Sequence, residues 1–229
     1  MFKTFKMLVL VCAAFTVASA NAATVSFSFS NSLEPTEINQ TGSLALFDSN
    51  LGTLTGASLL IDAKLKGIVG LSNSSSQAQK VRAQPNSDIG ISSSLSVVDQ
   101  LFNNVADLSI TLDTGWLTIQ PNASYTSPLL SDAATLTQDL GTALGSLSVS
   151  GGGNFTLNCT SLSGMTVLGG GGNVGASQSY QASCGGTITY TYDPAPVPPV
   201  PVPAGGVGML GLMGLGILGL AARMRRKPL

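Results

Sequence analysis

Eleven carboxylates, three thiols and a few aromatic rings are the chemically competent groups of this 229-residue chain, which contains no histidine. Without an imidazole, the usual Ser-His and Cys-His nucleophile systems lack their base. Carboxylate pairs remain: Glu34 with Glu37, or Asp48 with Asp62, could serve as acid and base of a glycosidase if they faced each other across a cleft. Nothing in their spacing places any two at such a separation. Solvated turn and strand-face carboxylates are the simpler reading, and no catalytic residues are expected.

The thiols point to cross-linking. Cys12 lies in an apolar leader and is expected to leave with it; the bulky Val11 before it argues against lipidation. Cys159 and Cys184 then form an even pair in an exported chain, 25 residues apart, and a disulfide of that span is worth roughly 3 kcal/mol in the chain-entropy description. In FTLNC, Phe155, Leu157 and Cys159 share one strand face, so the sulfur of Cys159 is expected to point into the core. Two thiolates with no histidine make an incomplete zinc site. Asp48 and Asn50 offer hard oxygens suited to Ca2+, but their segment lacks further carboxylates, and neither a metal nor a cofactor is expected. GGGGN at 169–173 has no following Lys or Thr and no βαβ setting to make it a phosphate cradle; a flexible loop or tight bend is expected.

Sugar binding needs exposed rings, and Trp116, Tyr125, Tyr180, Tyr190 and Tyr192 are the rings on offer. Trp116, Tyr190 and Tyr192 form the candidate ligand platform. Trp116 sits in a strand-like GWLTIQ and is expected to pack in the core. Tyr190 and Tyr192 share a face with Ile188: facing outward they would make an apolar contact strip, facing inward they are core.

The elements that must position these groups read as strands. Apolar residues alternate at Val25, Phe27 and Phe29, at Leu59, Ile61, Ala63 and Leu65, at Leu108, Ile110 and Leu112, through Trp116 to Gln120, and at Ile188, Tyr190 and Tyr192. Asp62, Lys64 and Lys66 occupy the opposite face of their strand. FDSNLGTLTG reads as a strand end, a turn built on Asp48, Ser49 and Asn50, a positive-φ Gly52 and the next strand. One stretch has helical spacing instead, with Val97, Val98, Leu101, Phe102 and Val105 behind Ser96 as N-cap and Asp99 as its partner; SDAATLTQDLG around Ser131 is a second, weaker helix candidate. Strands with one apolar face need a second layer, so the fold class is all-β: a two-layer antiparallel sandwich or jelly roll with one or two short helices.

Both ends read as addresses. Lys3 and Lys6, an apolar stretch from Met7 to Val17 and small residues up to Ala22 make a signal peptide over 1–22, cut after Ala22. The exported domain is expected over 23–192 and a proline-rich spacer over 193–204, with six prolines enforcing extended polyproline II. Residues 205–222 are apolar and uncharged, about 27 Å as a helix and barely enough to span a bilayer. Seven of those residues are glycine, which suits a transient anchor better than a permanent one. The tail over 223–229 carries Arg223, Arg225, Arg226 and Lys227, a cytoplasmic stop-transfer cluster that leaves the domain outside. Without the two ends, only Lys64, Lys66, Lys80 and Arg82 oppose all 11 carboxylates, so four cations against eleven anions leave the domain at about −7. Such a surface has no basic patch for nucleic acid. The Asn-x-Ser/Thr sites at Asn73, Asn122, Asn154 and Asn158 are weak modification signals.

Val200-Pro201-Val202-Pro203-Ala204, followed by a glycine-rich apolar helix and an Arg cluster, resembles the PEP-CTERM sorting signals in their VPLPA variant, with Val202 where that variant has Leu. A eukaryotic lipid-anchor signal normally ends in its hydrophobic tail without a basic cluster. The resemblance implies a Gram-negative bacterium, export through the Sec translocon, recognition by a membrane-embedded exosortase, transient inner-membrane anchoring, and release or transfer to the cell surface or polysaccharide matrix. Across most of the exported region, LALFDSNLGTLTGASLLIDAKLKG, SGGGNFTLNCTSLSG and GGGGNVGASQSYQASCGGTITYTYD resemble the choice-of-anchor E domain. That likeness implies a surface domain without assigned enzymatic activity, in a structural or adhesive role. The rival expectation is an extracellular carbohydrate-binding or carbohydrate-hydrolysing module.

Overall fold

The computed structural model describes residues 22–103 and 107–196. The signal peptide up to residue 21, Val105, the sorting motif Val200–Ala204, the span at 205–222 and the cluster Arg223, Arg225, Arg226 and Lys227 lie outside the described residues. Among those described, no helix is long and apolar enough to cross a membrane.

Among the described residues, thirteen strands and two short helices follow one another: β1 (Ala23–Ser30), β2 (Glu34–Pro35), β3 (Asn39–Ala45), β4 (Phe47–Asp48), β5 (Gly52–Asn73), β6 (Gln79–Ser93), α1 (Ser96–Phe102), β7 (Leu108–Thr111), β8 (Leu117–Ile119), β9 (Ser124–Thr126), β10 (Leu130–Asp139), α2 (Leu144–Leu147), β11 (Ser148–Val149), β12 (Asn154–Gly169) and β13 (Val174–Pro194). One antiparallel sheet has the order β1-β13-β5-β10, with β2 beside β13 and β9 beside β5. The other has the order β3-β12-β6-β7, with β8 also on β6; β4 and β11 form a two-residue parallel pair. The chain changes sheets repeatedly, among other places at β2 to β3, β5 to β6, β8 to β9 and β12 to β13. This is the strand order of a jelly roll, a two-layer sandwich built from Greek keys.

The alternation places one face of each sheet inside. Leu59, Ile61, Ala63 and Leu65 of β5 and Ile188 and Tyr190 of β13 meet Leu44 of β3, Leu157 and Cys159 of β12 and Ile89 of β6 in one core, each essentially inaccessible to solvent. Val25, Phe27 and Phe29 pack against that core as expected, and Lys64 points outward. Two glycines allow close approach: a Cβ on Gly42 would overlap the Phe29 ring, and one on Gly67 would overlap Tyr180, its cross-strand neighbour.

Three expectations are corrected. Residues Leu130–Asp139 form a strand rather than a second helix, because β5 offers a ten-residue partner and Ala134 and Leu136 then face the core. Tertiary pairing overrides the helix propensity of the alanines and leucine. The N-cap of α1 is Leu95, not Ser96; the Asp99 carboxylate accepts from the Ser93 N–H at 2.9 Å instead of closing a box with Ser96. Finally, β13 continues through Asp193 and Pro194, two residues into the expected spacer, because Pro194 pairs with Gly52 and the Ala195 N–H donates to the Leu51 carbonyl at 2.9 Å.

Candidate functional site

Cys159 on β12 and Cys184 on β13 form a disulfide with a Cα–Cα distance of 6.4 Å, and it ties the two sheets together. Both residues are buried, as the face shared by Phe155, Leu157 and Cys159 requires. A polar clasp adjoins it: Gln40, the cross-strand partner of Cys159, accepts from the Cys184 N–H at 3.0 Å and donates to the Ser32 carbonyl at 2.8 Å. Six residues further along β13, the Tyr190 hydroxyl donates to the Ala45 carbonyl of β3 at 2.8 Å, a second link between the layers.

Of the carboxylates singled out from the sequence, Asp48 and Glu37 accept from backbone N–H groups. Asp48 Oδ1 accepts from the Asn50 and Gly151 N–H groups, both at 2.9 Å, and fixes the expected turn into Gly52, whose φ is 148°. Glu37 accepts from the Ser161 hydroxyl at 3.0 Å and the Ser163 N–H at 2.8 Å. Among the described residues no three His, Cys, Asp or Glu side chains gather as a metal site. GGGGN forms a tight bend, with Gly169, Gly170 and Gly171 at positive φ between β12 and β13.

The aromatic platform divides. Tyr190 is wholly buried, with its ring against Phe27 and Phe47, so it is core and leaves the candidate set. Tyr192 lies 5.0 Å from the Phe47 ring and packs on the same cluster, so the two tyrosines make no outward strip. Burial raises the pKa of Tyr190 and that of the likewise buried Tyr180, the latter to about 12. Trp116 corrects its expectation in the other direction: it is 51% exposed. Leu117 and Ile119 take the inward positions of β8, and Trp116 falls on the opposite parity.

Trp116 stands on a fixed support. Arg82 grips Asp113 through Nε at 2.9 and 3.1 Å and through its terminal nitrogen, while the Gly115 N–H donates to Asp113 Oδ1 at 2.9 Å. The Arg82 hydrogen bonds lower the Asp113 pKa, and Asp113 raises that of Arg82. Thr114 bonds to both backbone groups of Ala83, and Gly115, at φ 68°, turns the chain toward the tryptophan. The Trp116 ring lies by Gly169, whose Cβ position would be 3.2 Å from Cζ3, and the Lys80 ammonium sits 5.3 Å from the ring centroid. Lys80 and Arg82, two apart on β6, point outward beside Thr118 and the exposed Leu168, their cross-strand partners. Shallow grooves run along β5, one lined by residues such as Tyr125 and Ser177 and another by Ile68 and Leu129.

No protein-family model matches the sequence, and no curated protein matches it. Among solved structures, the coat protein of Tobacco streak virus is 13% identical, aligned over 79% of this chain and 94% of the viral one, with a TM-score of 0.19. The T13 IBDV particle is 12% identical over 77% of this chain and 40% of the viral one, with a TM-score of 0.16. At these scores the likeness carries no argument about fold or function.

Proposed function

We propose that the chain is a secreted, noncatalytic surface domain with a structural or adhesive role, delivered by its N-terminal signal and processed by an exosortase at the tail. The observation that carries this reading is the inter-sheet disulfide. A buried cross-link between β12 and β13 suits an oxidising compartment outside the cytoplasm, where a sandwich of this size gains from a covalent tie. The side chains support a structural role as well: Asp48, Glu37 and Gln40 spend their hydrogen-bonding capacity on backbone and hydroxyl partners that fix turns and strand ends. Residues 200–204, the apolar 205–222 and the basic 223–229 supply the sorting step, with the polypeptide outside the inner membrane and then at the cell surface or in the matrix. Deleting residues 200–229 and fractionating the cells tests this. Loss of surface retention with an intact, oxidised domain is the expected result; unchanged retention would refute the sorting role.

A second reading, a carbohydrate-binding module, is favoured by one observation, the half-exposed Trp116 on a supported turn. Its test is binding to a glycan array, lost in Trp116→Ala.

A further inference from the structure

We propose that the Trp116 corner of the β3-β12-β6-β7 sheet binds acidic sugars, stacking a pyranose ring on Trp116 and pairing the sugar carboxylate with Lys80; this rests on the carbohydrate-binding reading.

The ring is exposed, yet its surroundings are fixed. The Arg82–Asp113 pair, the two Thr114 bonds to Ala83 and the close approach to Gly169 hold the turn that bears it. A preorganised ring loses little conformational freedom on binding, which is where exposed flexible side chains forfeit affinity. Leu168, also exposed, extends the apolar surface on the same sheet face.

Charge selects among sugars. The exported domain is acidic, and its only described ion pair is Arg82 with Asp113. Lys80, one residue pair away on β6, has no carboxylate within salt-bridge distance among the described residues, and its ammonium stands at the ring. Of the charged groups at this turn, Arg82 and Asp113 pair with each other, and Lys80 leaves one uncompensated positive charge over the Trp116 ring. A densely charged polyphosphate would meet the repulsion of the surrounding carboxylates, whereas a uronate presents one carboxylate per ring, matched to one lysine.

Trp116 is the sole tryptophan of the chain, so its fluorescence reports this corner directly. Protein purified from the cells that make it is titrated with polygalacturonate, with neutral dextran and with polyglutamate. The expected result is a saturable change with polygalacturonate alone, weakened by salt, absent in a binding assay of Trp116→Ala, weakened roughly fivefold in Lys80→Gln and largely restored in Lys80→Arg. Lys64→Gln, which removes the same charge from the other sheet, leaves binding unchanged. Equal responses to dextran or to polyglutamate, full affinity in Lys80→Gln, or an equal loss in Lys64→Gln would each overturn the assignment. Silence toward every glycan would overturn the carbohydrate-binding reading with it, whereas equal binding of acidic and neutral polymers would sink the acidic preference alone.

Discussion

Replacing both half-cystines, as Cys159→Ala with Cys184→Ala, removes the covalent tie between the sheets and leaves two small apolar side chains at buried positions. The cross-linked segment spans 25 residues, for which the chain-entropy relation gives roughly 3.5 kcal/mol. In a domain of this size each kcal/mol corresponds to about 2–4 °C, so the melting temperature should fall by about 7–14 °C. Calorimetry or circular dichroism on parent and double variant measures the shift. Because both sulfurs are buried, a reductant added to the native parent should act only as fast as the sandwich opens, and the reduced parent should then melt near the double variant. A double variant melting within about 2 °C of the parent would refute the view that this bond constrains the unfolded chain.

Three further outcomes follow from the packing. Gly42→Ala places a methyl group into the Phe29 ring and should cost about 1–3 kcal/mol in urea denaturation, whereas Gly56→Ala, whose Cβ would meet only Thr191 at ordinary contact distance, should cost less. Tyr190→Phe leaves the Ala45 carbonyl without its donor and should destabilise by about 1–2 kcal/mol in the same assay; an unchanged midpoint would show that this inter-sheet bond contributes nothing. The buried tyrosines predict alkaline behaviour. Their folded pKa values lie above the unfolded value of about 10, so their contribution to stability is full below that pH and is lost as pH rises through the folded values, about 12 for Tyr180. Tyrosinate absorbance should show Tyr180 and Tyr190 titrating late, together with unfolding; early titration of these two would contradict their burial.

Where one strand face is apolar, the sequence was sufficient. Leu59, Ile61, Ala63 and Leu65 alternate with the outward Leu60, Asp62 and Lys64, and Cys159 shares parity with Phe155 and Leu157, so both the strand faces and the inward sulfur could be read in advance. Trp116 was misplaced even though the parity of Leu117 and Ile119 held the answer: residues at even positions in that segment face out. The strand at Leu130–Asp139 was harder to read, because Ala133 and Ala134 adjoin and only pairing with β5 decides which faces inward. Least legible were the buried polar residues. Gln40 occupies an inward position between Ile38 and Gly42, and Asn73 reaches the carbonyls of Gln77, Ile119 and Gln120 at 2.8, 3.1 and 3.1 Å; no apolar rhythm marks either. Cys184 for Gln40, and Ile119 and Gln120 for Asn73, come from distant segments, so these roles exist only once the chain has folded. The same holds for the Trp116 corner, where Lys80, Asp113 and Gly169 converge from three separate stretches.

The delivery of this domain is tested most directly by intact-mass measurement of the protein recovered from the envelope and the extracellular fraction of the cells that make it. The account predicts a polypeptide that begins at Ala23, ends near Ala204 and is two hydrogens lighter than its reduced sequence because Cys159 and Cys184 are joined. A chain recovered from the cytosol with Met1 and Leu229 in place and both thiols free would contradict it.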